Sequence, residues 1–180
     1  MKKKFYQEIE IPEGVEANLE DSTLIVKGPE GENKREFEMA NLEFKKQENK
    51  ILVGHKKTTK HEKKKINTIA AHIKNMIHGV QEKFEYKLKV CFSHFPMNVE
   101  LKGNEVILKN FLGEKIPRKF KIPEGVEVKI DKEIITIISP NKELGGQAAA
   151  NFETATKIRG RDKRVFQDGI YITNKGGKEI

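Results

Sequence analysis

The chain has 180 residues, of which 36% are hydrophobic and 34% are charged, and it contains no Trp. A chain of this length buries roughly 70% of its unfolded surface, so it needs no disulfide or metal to fold. The formal net charge of +8 favours a polyanionic partner, and the single cysteine, Cys91, excludes an internal disulfide. We therefore expect a globular protein of a reducing compartment, with the cytoplasm as the simplest choice.

The basic start of the chain, "MKKKFYQEIEIPEGVE", has no apolar stretch behind it, so we expect no signal peptide. Lys2, Lys3 and Lys4 form either a solvated terminus or an arm that contacts phosphates. No run of residues approaches the roughly 18 apolar residues of a membrane-spanning helix, and we expect no membrane partner.

The hexapeptide "IPEGVE" occurs twice, at residues 11–16 and 122–127. Each copy opens a segment that alternates apolar and polar residues, breaks at an acidic turn and resumes with β-forming residues. This pattern predicts a β-hairpin with one buried face. The apolar positions of the two hairpins are Val15, Ala17, Leu19, Leu24 and Val26, and Val126, Val128, Ile130, Ile135 and Ile137.

Two further segments, residues 39–54 and 97–115, show the same hairpin pattern. In the first, the polar stretch "KKQEN" separates the apolar positions, and in the second the turn residues are Gly103 and Asn104. Their apolar positions are Leu42, Phe44, Ile51 and Val53, and Val99, Leu101, Val106 and Leu108.

Two segments have the spacing of amphipathic helices, "KINTIAAHIKNMIHGV" at 65–80 and "GGQAAANFETATKIRG" at 145–160. Asn67 or Thr68 is the expected N-cap of the first helix, and Gly79 marks its end. The predicted apolar faces consist of Ile66, Ile69, Ala70, Ile73, Met76 and Val80, and of Ala149, Phe152, Ala155 and Ile158.

The order of these elements indicates an internal duplication, hairpin–hairpin–helix in each half. A spacing of about 83 residues aligns the helices, whereas the hexapeptide match pairs the first hairpin of one half with the second of the other. We predict an α+β fold of two tandem similar domains, residues 1–82 and 83–180. Each is a small curved antiparallel sheet of two hairpins covered by one helix.

The sequence contains no recognisable catalytic, cofactor-binding or metal-binding motif. It contains neither a GxGxxG turn after a strand nor a GxxxxGK[ST] loop, so no phosphate-cradling loop is predicted. The five histidines form no ligand set, and lysines crowd the stretch that contains His55 and His61, which disfavours a metal ion. Cys91 has the setting of a small buried hydrophobe rather than a nucleophile. We predict no enzymatic activity, no cofactor, no metal site and no small-molecule substrate.

Basic residues are concentrated in two stretches. Residues 157–180 contain seven Lys and Arg against three acids, with arginines and aromatics interleaved, as suits structured RNA. The predicted loop at residues 55–65 contains six lysines against one acid and contacts RNA, contacts a protein, or is a solvated connection. The candidate RNA-binding residues are Lys157, Arg159, Arg161, Lys163, Arg164, Lys175 and Lys178, with Lys56, Lys57, Lys60, Lys64 and Lys65 in the loop.

At this point the residues show a resemblance. The stretch "GQAAANFETATKIRGRDKRVFQDGIY" resembles the C-terminal signature of a large-subunit ribosomal protein family, numbered six in bacteria and archaea and nine in eukaryotes. The stretch "FSHFPMNVELKGNEVILKNFLGEKIPRKFKI" is similar to the start of that family's second domain, and "HIKNMIHGV" to its first helix. The similarity is to the archaeal and eukaryotic type, since the bacterial "PEPYKGKG" is missing near the end.

The resemblance implies a non-catalytic constituent of the cytoplasmic large ribosomal subunit. It implies binding to large-subunit rRNA near the rRNA 3′ end, beside the sarcin–ricin and translation-factor site, mainly through the second domain. Neighbouring large-subunit ribosomal proteins are the other implied partners. A free-standing RNA-binding regulator or chaperone is the alternative, and an enzyme is a third hypothesis without candidate residues.

The C-terminal stretch also carries predictions for single residues. Asp168-Gly169 is predicted to turn "RVFQ" back on "IYIT" as a hairpin, with Val165 or Phe166 packed inward. Phe166 is either a core anchor or a platform for stacking a base. Asp162 is expected to pair with a neighbouring Arg, and "NKGGKEI" to be a flexible tip. Deletion of residues 157–180 is expected to abolish RNA binding.

Overall fold

The computed structural model describes residues 3–38, 42–47 and 49–180, which divide into two compact units, Met1–Lys83 and Phe84–Ile180. Lys2 of the basic start lies outside the described residues, as do residues 39–41 and 48 of the second predicted hairpin. Lys3 and Lys4 begin the first strand.

In its described residues the first unit has six strands and one long helix, and these strands form two three-stranded antiparallel sheets. The strand order is β1-β6-β5 in one sheet and β2-β3-β4 in the other. The elements are β1 (Lys3–Glu10), β2 (Glu16–Glu20), β3 (Thr23–Gly28), β4 (Gly31–Glu36), β5 (Glu43–Gln47), β6 (Lys50–Thr58) and α1 (Lys60–Gln81).

The second unit repeats this arrangement and extends it. Its sheets have the orders β10-β9-β8 and β11-β12-β7-β13-β14, so two further strands lie beyond β7. The elements are β7 (Phe84–Cys91), β8 (Asn98–Lys102), β9 (Glu105–Lys109), a short 3-10 turn (Phe111–Gly113), β10 (Arg118–Lys121), β11 (Glu127–Asp131), β12 (Ile134–Ser139), α2 (Lys142–Ala155), β13 (Gly169–Lys175) and β14 (Lys178–Glu179).

The α+β class and the tandem repeat are confirmed. The order β5-β6-β1 of the first unit matches β11-β12-β7 of the second, so the spacing of about 83 residues is the structural one. The four predicted hairpins are present as strand pairs β2–β3, β5–β6, β8–β9 and β11–β12. The two hairpins of each half lie in two separate sheets rather than in the expected single sheet, and β1, β4, β7 and β10 each add a third strand to one hairpin.

Each helix covers its unit's core with the predicted face. All six predicted residues of α1 are buried, and Phe152 and Ala149 of α2 are fully enclosed. Ile158 of the predicted second face is beyond the end of α2, although it still packs partly buried against the same core. Helix periodicity therefore predicted the packing better than it predicted the ends.

The predicted lysine loop at residues 55–65 is wrong. Strand β6 continues to Thr58, and α1 begins at Lys60 with Thr59 rather than Asn67 or Thr68 as its N-cap. The Thr59 hydroxyl accepts a hydrogen bond from the Glu62 backbone N–H at 3.4 Å, and the Glu62 carboxylate accepts one from the Thr59 N–H at 2.5 Å. This reciprocal capping box starts the helix ahead of its apolar stripe.

Candidate nucleic-acid interface

Five of the predicted cations share one irregular stretch of the second unit. Residues 157–168, called here the basic segment, connect α2 to β13 without helix or strand. All five of these side chains belong to exposed residues, which leaves their charges open to a partner. They are Lys157, Arg159, Arg161, Lys163 and Arg164.

The two ends of the basic segment are tied together by the last turn of α2. The Thr156 hydroxyl donates to the Phe152 carbonyl at 3.1 Å and accepts from the Ile170 N–H at 2.9 Å. The Glu153 carboxylate accepts from the Ile172 N–H at 3.0 Å. The basic segment is thus a loop whose two ends are fixed by the contact of the last turn of α2 with β13.

Asp168 anchors the far end of the basic segment to the loop that follows β7. It is 2% exposed and accepts hydrogen bonds from the Ser93 N–H at 2.7 Å and the His94 N–H at 3.1 Å. The His94 ring nitrogen Nδ1 lies 2.6 Å from the second carboxylate oxygen. Burial raises the pKa of Asp168, but these hydrogen bonds outweigh it and lower the pKa to about 2.

The predicted Asp168-Gly169 hairpin is therefore wrong. Residues 161–168 form no strand, and Gly169 is the first residue of β13, where it pairs with Cys91 of β7. A turn rule does not detect this arrangement, because the carboxylate binds backbone groups 74 and 75 residues away. Val165 is 61% exposed and does not face the core.

An aromatic stack positions one arginine of the basic segment. The half-buried ring of Phe166 stacks on His94, with centroids 4.9 Å apart and planes at 16°. The Arg161 guanidinium lies 4.8 Å from the centroid of the Phe166 ring, close enough for a cation–π contact. The structure favours the anchor role of Phe166 over a free stacking platform.

Arg164 forms the ion pair expected of Asp162. Its Nη2 lies 2.8 Å from Asp162 Oδ2, and the hydrogen bonds from Arg164 lower the pKa of Asp162. The Arg164 side chain is 90% exposed, so the pair contributes little to stability. Its guanidinium remains accessible on the surface.

Arg118 is a structural residue of this site that sequence reasoning missed. It lies in β10, donates to the Glu114 carboxylate at 2.8 Å and to the Ala155 carbonyl at 2.7 Å, and so joins the loop after β9 to the end of α2. Its hydrogen bonds lower the pKa of Glu114, which keeps that carboxylate ionised. Nothing in "IPRKFKI" distinguishes Arg118 from the lysines around it, because the carbonyl it binds is 37 residues away.

Lys175 and Lys178 are not brought to the basic segment. They face each other across the β13–β14 hairpin, where Gly176 and Gly177 form the turn, so the expected flexible tip is an ordered strand pair. Lys175 lies six residues along β13 from Gly169, roughly 20 Å for an extended strand. The basic C-terminal stretch is therefore two separate surfaces.

The five lysines predicted in the first unit lie at the junction of β6 and α1. Lys56 and Lys57 are exposed near the end of β6, and Lys60 and Lys64 are exposed in the first two turns of α1, with Lys65 half-buried beside them. Lys56 lies 4.0 Å from Glu43 in a weak surface pair. A cavity of about 530 Å³ also opens here, and His61, Lys64 and Arg35 are among the residues that line it.

Over the described ranges, no cluster of three or more His, Cys, Asp or Glu converges in a way that would hold a metal ion. None of the helices described is long and apolar enough to cross a bilayer. Cys91 is half-buried at the end of β7.

Comparison with known proteins decides the family. The model of the family "Ribosomal protein L6" matches residues 11–83 and 95–169, one segment in each unit. The large ribosomal subunit protein uL6 of Methanococcus vannielii is 48% identical over 174 residues, which is 97% of this chain and 96% of the relative. The protein of the same name from Methanobrevibacter smithii is 46% identical over 169 residues, covering 94% of this chain and 95% of the relative.

The chain belongs to the ribosomal protein L6 family. Both relatives are archaeal proteins, which confirms the resemblance to the archaeal type of the L6 family. The L6 family is structural and non-enzymatic, and the prediction that the chain is not an enzyme is confirmed on that ground. The two matched segments of the L6 model agree with the duplication seen in the fold.

Proposed function

We propose that this chain is a structural constituent of the cytoplasmic large ribosomal subunit and stabilises large-subunit rRNA by binding its backbone. Membership of the L6 family and relatives named as large-subunit proteins over nearly their whole length support the assignment. In this proposal the bound RNA lies near the rRNA 3′ end, beside the sarcin–ricin and translation-factor site. The remaining partners are neighbouring large-subunit proteins.

The main support for this proposal is the basic segment, whose two ends are fixed. Five exposed cations occupy a loop whose ends and aromatic stack are fixed before any partner binds. A fixed loop loses little conformational freedom on binding, and arginine presents planar donors to phosphate oxygens. We assign the principal RNA contact to this segment and the role of RNA-binding domain to residues 83–180.

The lysines at the start of α1 form a proposed second contact. Lys60 and Lys64 lie in the first two turns of the helix, near the positive end of its macrodipole, and Glu62 is the one acidic residue of the first turn. Positive charges near the N-terminus of a helix lower the stability of that helix. Such a local conflict between sequence and fold is typical of a functional surface. Bound phosphates would relieve it.

The direct test is the salt dependence of binding to a large-subunit rRNA transcript. The test variant replaces Arg159, Arg161, Lys163 and Arg164 by Gln. A matched control replaces four exposed lysines of the same unit by Gln, which removes the same charge; they are Lys102, Lys119, Lys121 and Lys129. Deletion of residues 157–180 is unsuitable, since it also removes β13, which pairs with β7 in the five-stranded sheet.

We expect the test variant to lower the slope of log affinity against log salt concentration by about three units, since each lost phosphate contact removes roughly 0.7–0.9. The control variant should lower the slope by less than one unit. Equal losses in both variants would show that only net charge matters and would refute the assignment to the basic segment. Sedimentation of the chain away from large subunits in cell extract would instead favour a free-standing RNA-binding protein.

A further inference from the structure

The edge of β13 borders a cavity that the proposed phosphate contacts leave unused. Strand β14 pairs with the end of β13 at Asn174 and Lys175, and the Ile180 N–H donates to the Thr173 carbonyl, so no strand covers residues 169–172 on that side. The space has a volume of about 400 Å³, within the range of roughly 300–1,000 Å³ for small-molecule sites. Its walls come from the last turn of α2, the basic segment and β13: Glu153, Thr154, Thr156, Lys163, Phe166 and Tyr171.

An aromatic wall makes this cavity suitable for a flat group. Tyr171 is 45% exposed, and its hydroxyl donates to the Gln167 carbonyl at 3.2 Å, which holds the ring in place. Gly169 provides the room for that position, since a methyl group there would lie 3.2 Å from the Tyr171 oxygen. Phe166, already stacked on His94, closes another part of the wall.

Charge indicates the kind of group that would enter. Lys157 and Lys163 both line the cavity and belong to exposed residues, so a phosphate at its mouth would meet two cations. Glu153 also lines the cavity, and one of its oxygens accepts the Ile172 N–H at 3.0 Å. A carboxylate has further acceptor sites, so an N–H donor would be satisfied beside it.

We propose that this cavity binds one unstacked nucleotide of the RNA that contacts the basic segment, with its base against Tyr171 and its phosphate beside Lys163. The inference rests on the proposed function. Recognition of RNA commonly involves unstacked bases placed on aromatic side chains, and such stacking tolerates any base. The Glu153 carboxylate adds a preference for a base with an exocyclic amino group, namely adenine, cytosine or guanine, over uracil.

Chemical probing of a large-subunit rRNA transcript, alone and with the full chain, tests the inference. Dimethyl sulfate and kethoxal report on the base-pairing edges of adenine, cytosine and guanine. The variants are Tyr171→Leu, which removes the ring, Tyr171→Phe, which keeps it, and Lys163→Gln, with Lys129→Gln as a control of equal charge. Lys163 and Lys129 are exposed, so neither lysine substitution endangers the fold.

The wild-type chain and Tyr171→Phe should protect one isolated, unpaired base, and Tyr171→Leu should abolish that protection and weaken binding about tenfold. Lys163→Gln should weaken the protection of the same base, and Lys129→Gln should leave it unchanged.

Salt-sensitive binding without an isolated protected base, as expected if a protein segment fills the cavity, would overturn the inference and leave the proposed function standing. Unchanged protection with Tyr171→Leu would also overturn it. No salt-sensitive binding of the transcript at all would refute the proposed function itself.

Discussion

Asp168 is a buried carboxylate that stays ionised because four hydrogen-bond donors of the loop after β7 compensate for its lost hydration. They are the backbone N–H groups of Ser93 and His94, the Ser93 hydroxyl and the His94 ring. The same loop places His94 under Phe166 and, through it, Arg161. One buried side chain thus determines the shape of the surface that we assign to RNA.

Replacing Asp168 by Asn should destabilise the chain by about 2 kcal/mol at pH 7, the free energy that corresponds to lowering the pKa from 3.8 to about 2. Because the folded-state pKa lies below the unfolded value, this stabilisation is complete above about pH 5 and is lost as the pH falls toward 2. Wild type and Asp168→Asn should therefore converge in acid. Urea denaturation followed by circular dichroism at pH 7 and pH 2 measures both differences.

Asp162→Asn is the matched control for that experiment. It removes a carboxylate of the same segment whose partner, Arg164, is exposed, so we expect no measurable change in stability at either pH. If Asp168→Asn is as stable as wild type at pH 7, Asp168 does not anchor the segment.

At the scale of elements, the alternation and helix spacing predicted the hairpins and the buried face of α1 because those patterns are local. The ends of the elements were harder, since the Thr59 capping box lies among lysines that look like a solvated loop. The site was only partly predictable. Composition located the cations of the basic segment, whereas Arg118 and the role of Asp168 depend on partners far along the chain.

Two neighbouring glycines of α2 should respond oppositely to the same substitution. A methyl group at Gly145 would lie 2.8 Å from the buried ring of Tyr86, so Gly145→Ala should destabilise the chain by roughly 1–3 kcal/mol. At Gly146 the nearest atom, the Tyr86 hydroxyl, is 3.5 Å away, so Gly146→Ala should stabilise the helix by roughly 0.5–1 kcal/mol. Thermal unfolding of both variants provides the comparison, and equal shifts would contradict the close packing of α2 on β7.

Reversing one charge at the start of α1 should separate stability from binding. Lys60 is exposed at the first position after the Thr59 cap, where a negative charge favours the helix by roughly 0.3–1 kcal/mol. Lys60→Glu should raise the unfolding temperature of the free chain and weaken its affinity for a large-subunit rRNA transcript. Lys74→Glu, in the middle of the same helix, is the control and should not raise the unfolding temperature. If Lys60→Glu binds the transcript as tightly as wild type does, the lysines at the start of α1 are not part of the RNA interface.

At the scale of the whole molecule, the two units share one topology but differ in charge and in their last elements. Residues 83–180 contain 19 basic and 13 acidic residues, whereas residues 1–82 contain 16 and 14. Among the strands that the structure describes, β13 and β14 of the second unit, which lie beyond β7, have no counterpart in the first unit, and the basic segment is the connection that leads to them. The duplicated fold forms the scaffold of both units, and the extension of the second unit includes the basic segment that we assign to rRNA binding.

Ultraviolet cross-linking of the full chain to a large-subunit rRNA transcript, followed by mass spectrometry of the linked peptides, tests this central claim most directly. The account predicts that the most frequent cross-links fall within residues 157–171, with a smaller set at residues 56–65. It predicts that both sets decline as the salt concentration rises. Cross-links confined to the first unit, or spread evenly over the exposed lysines of both units, would contradict it.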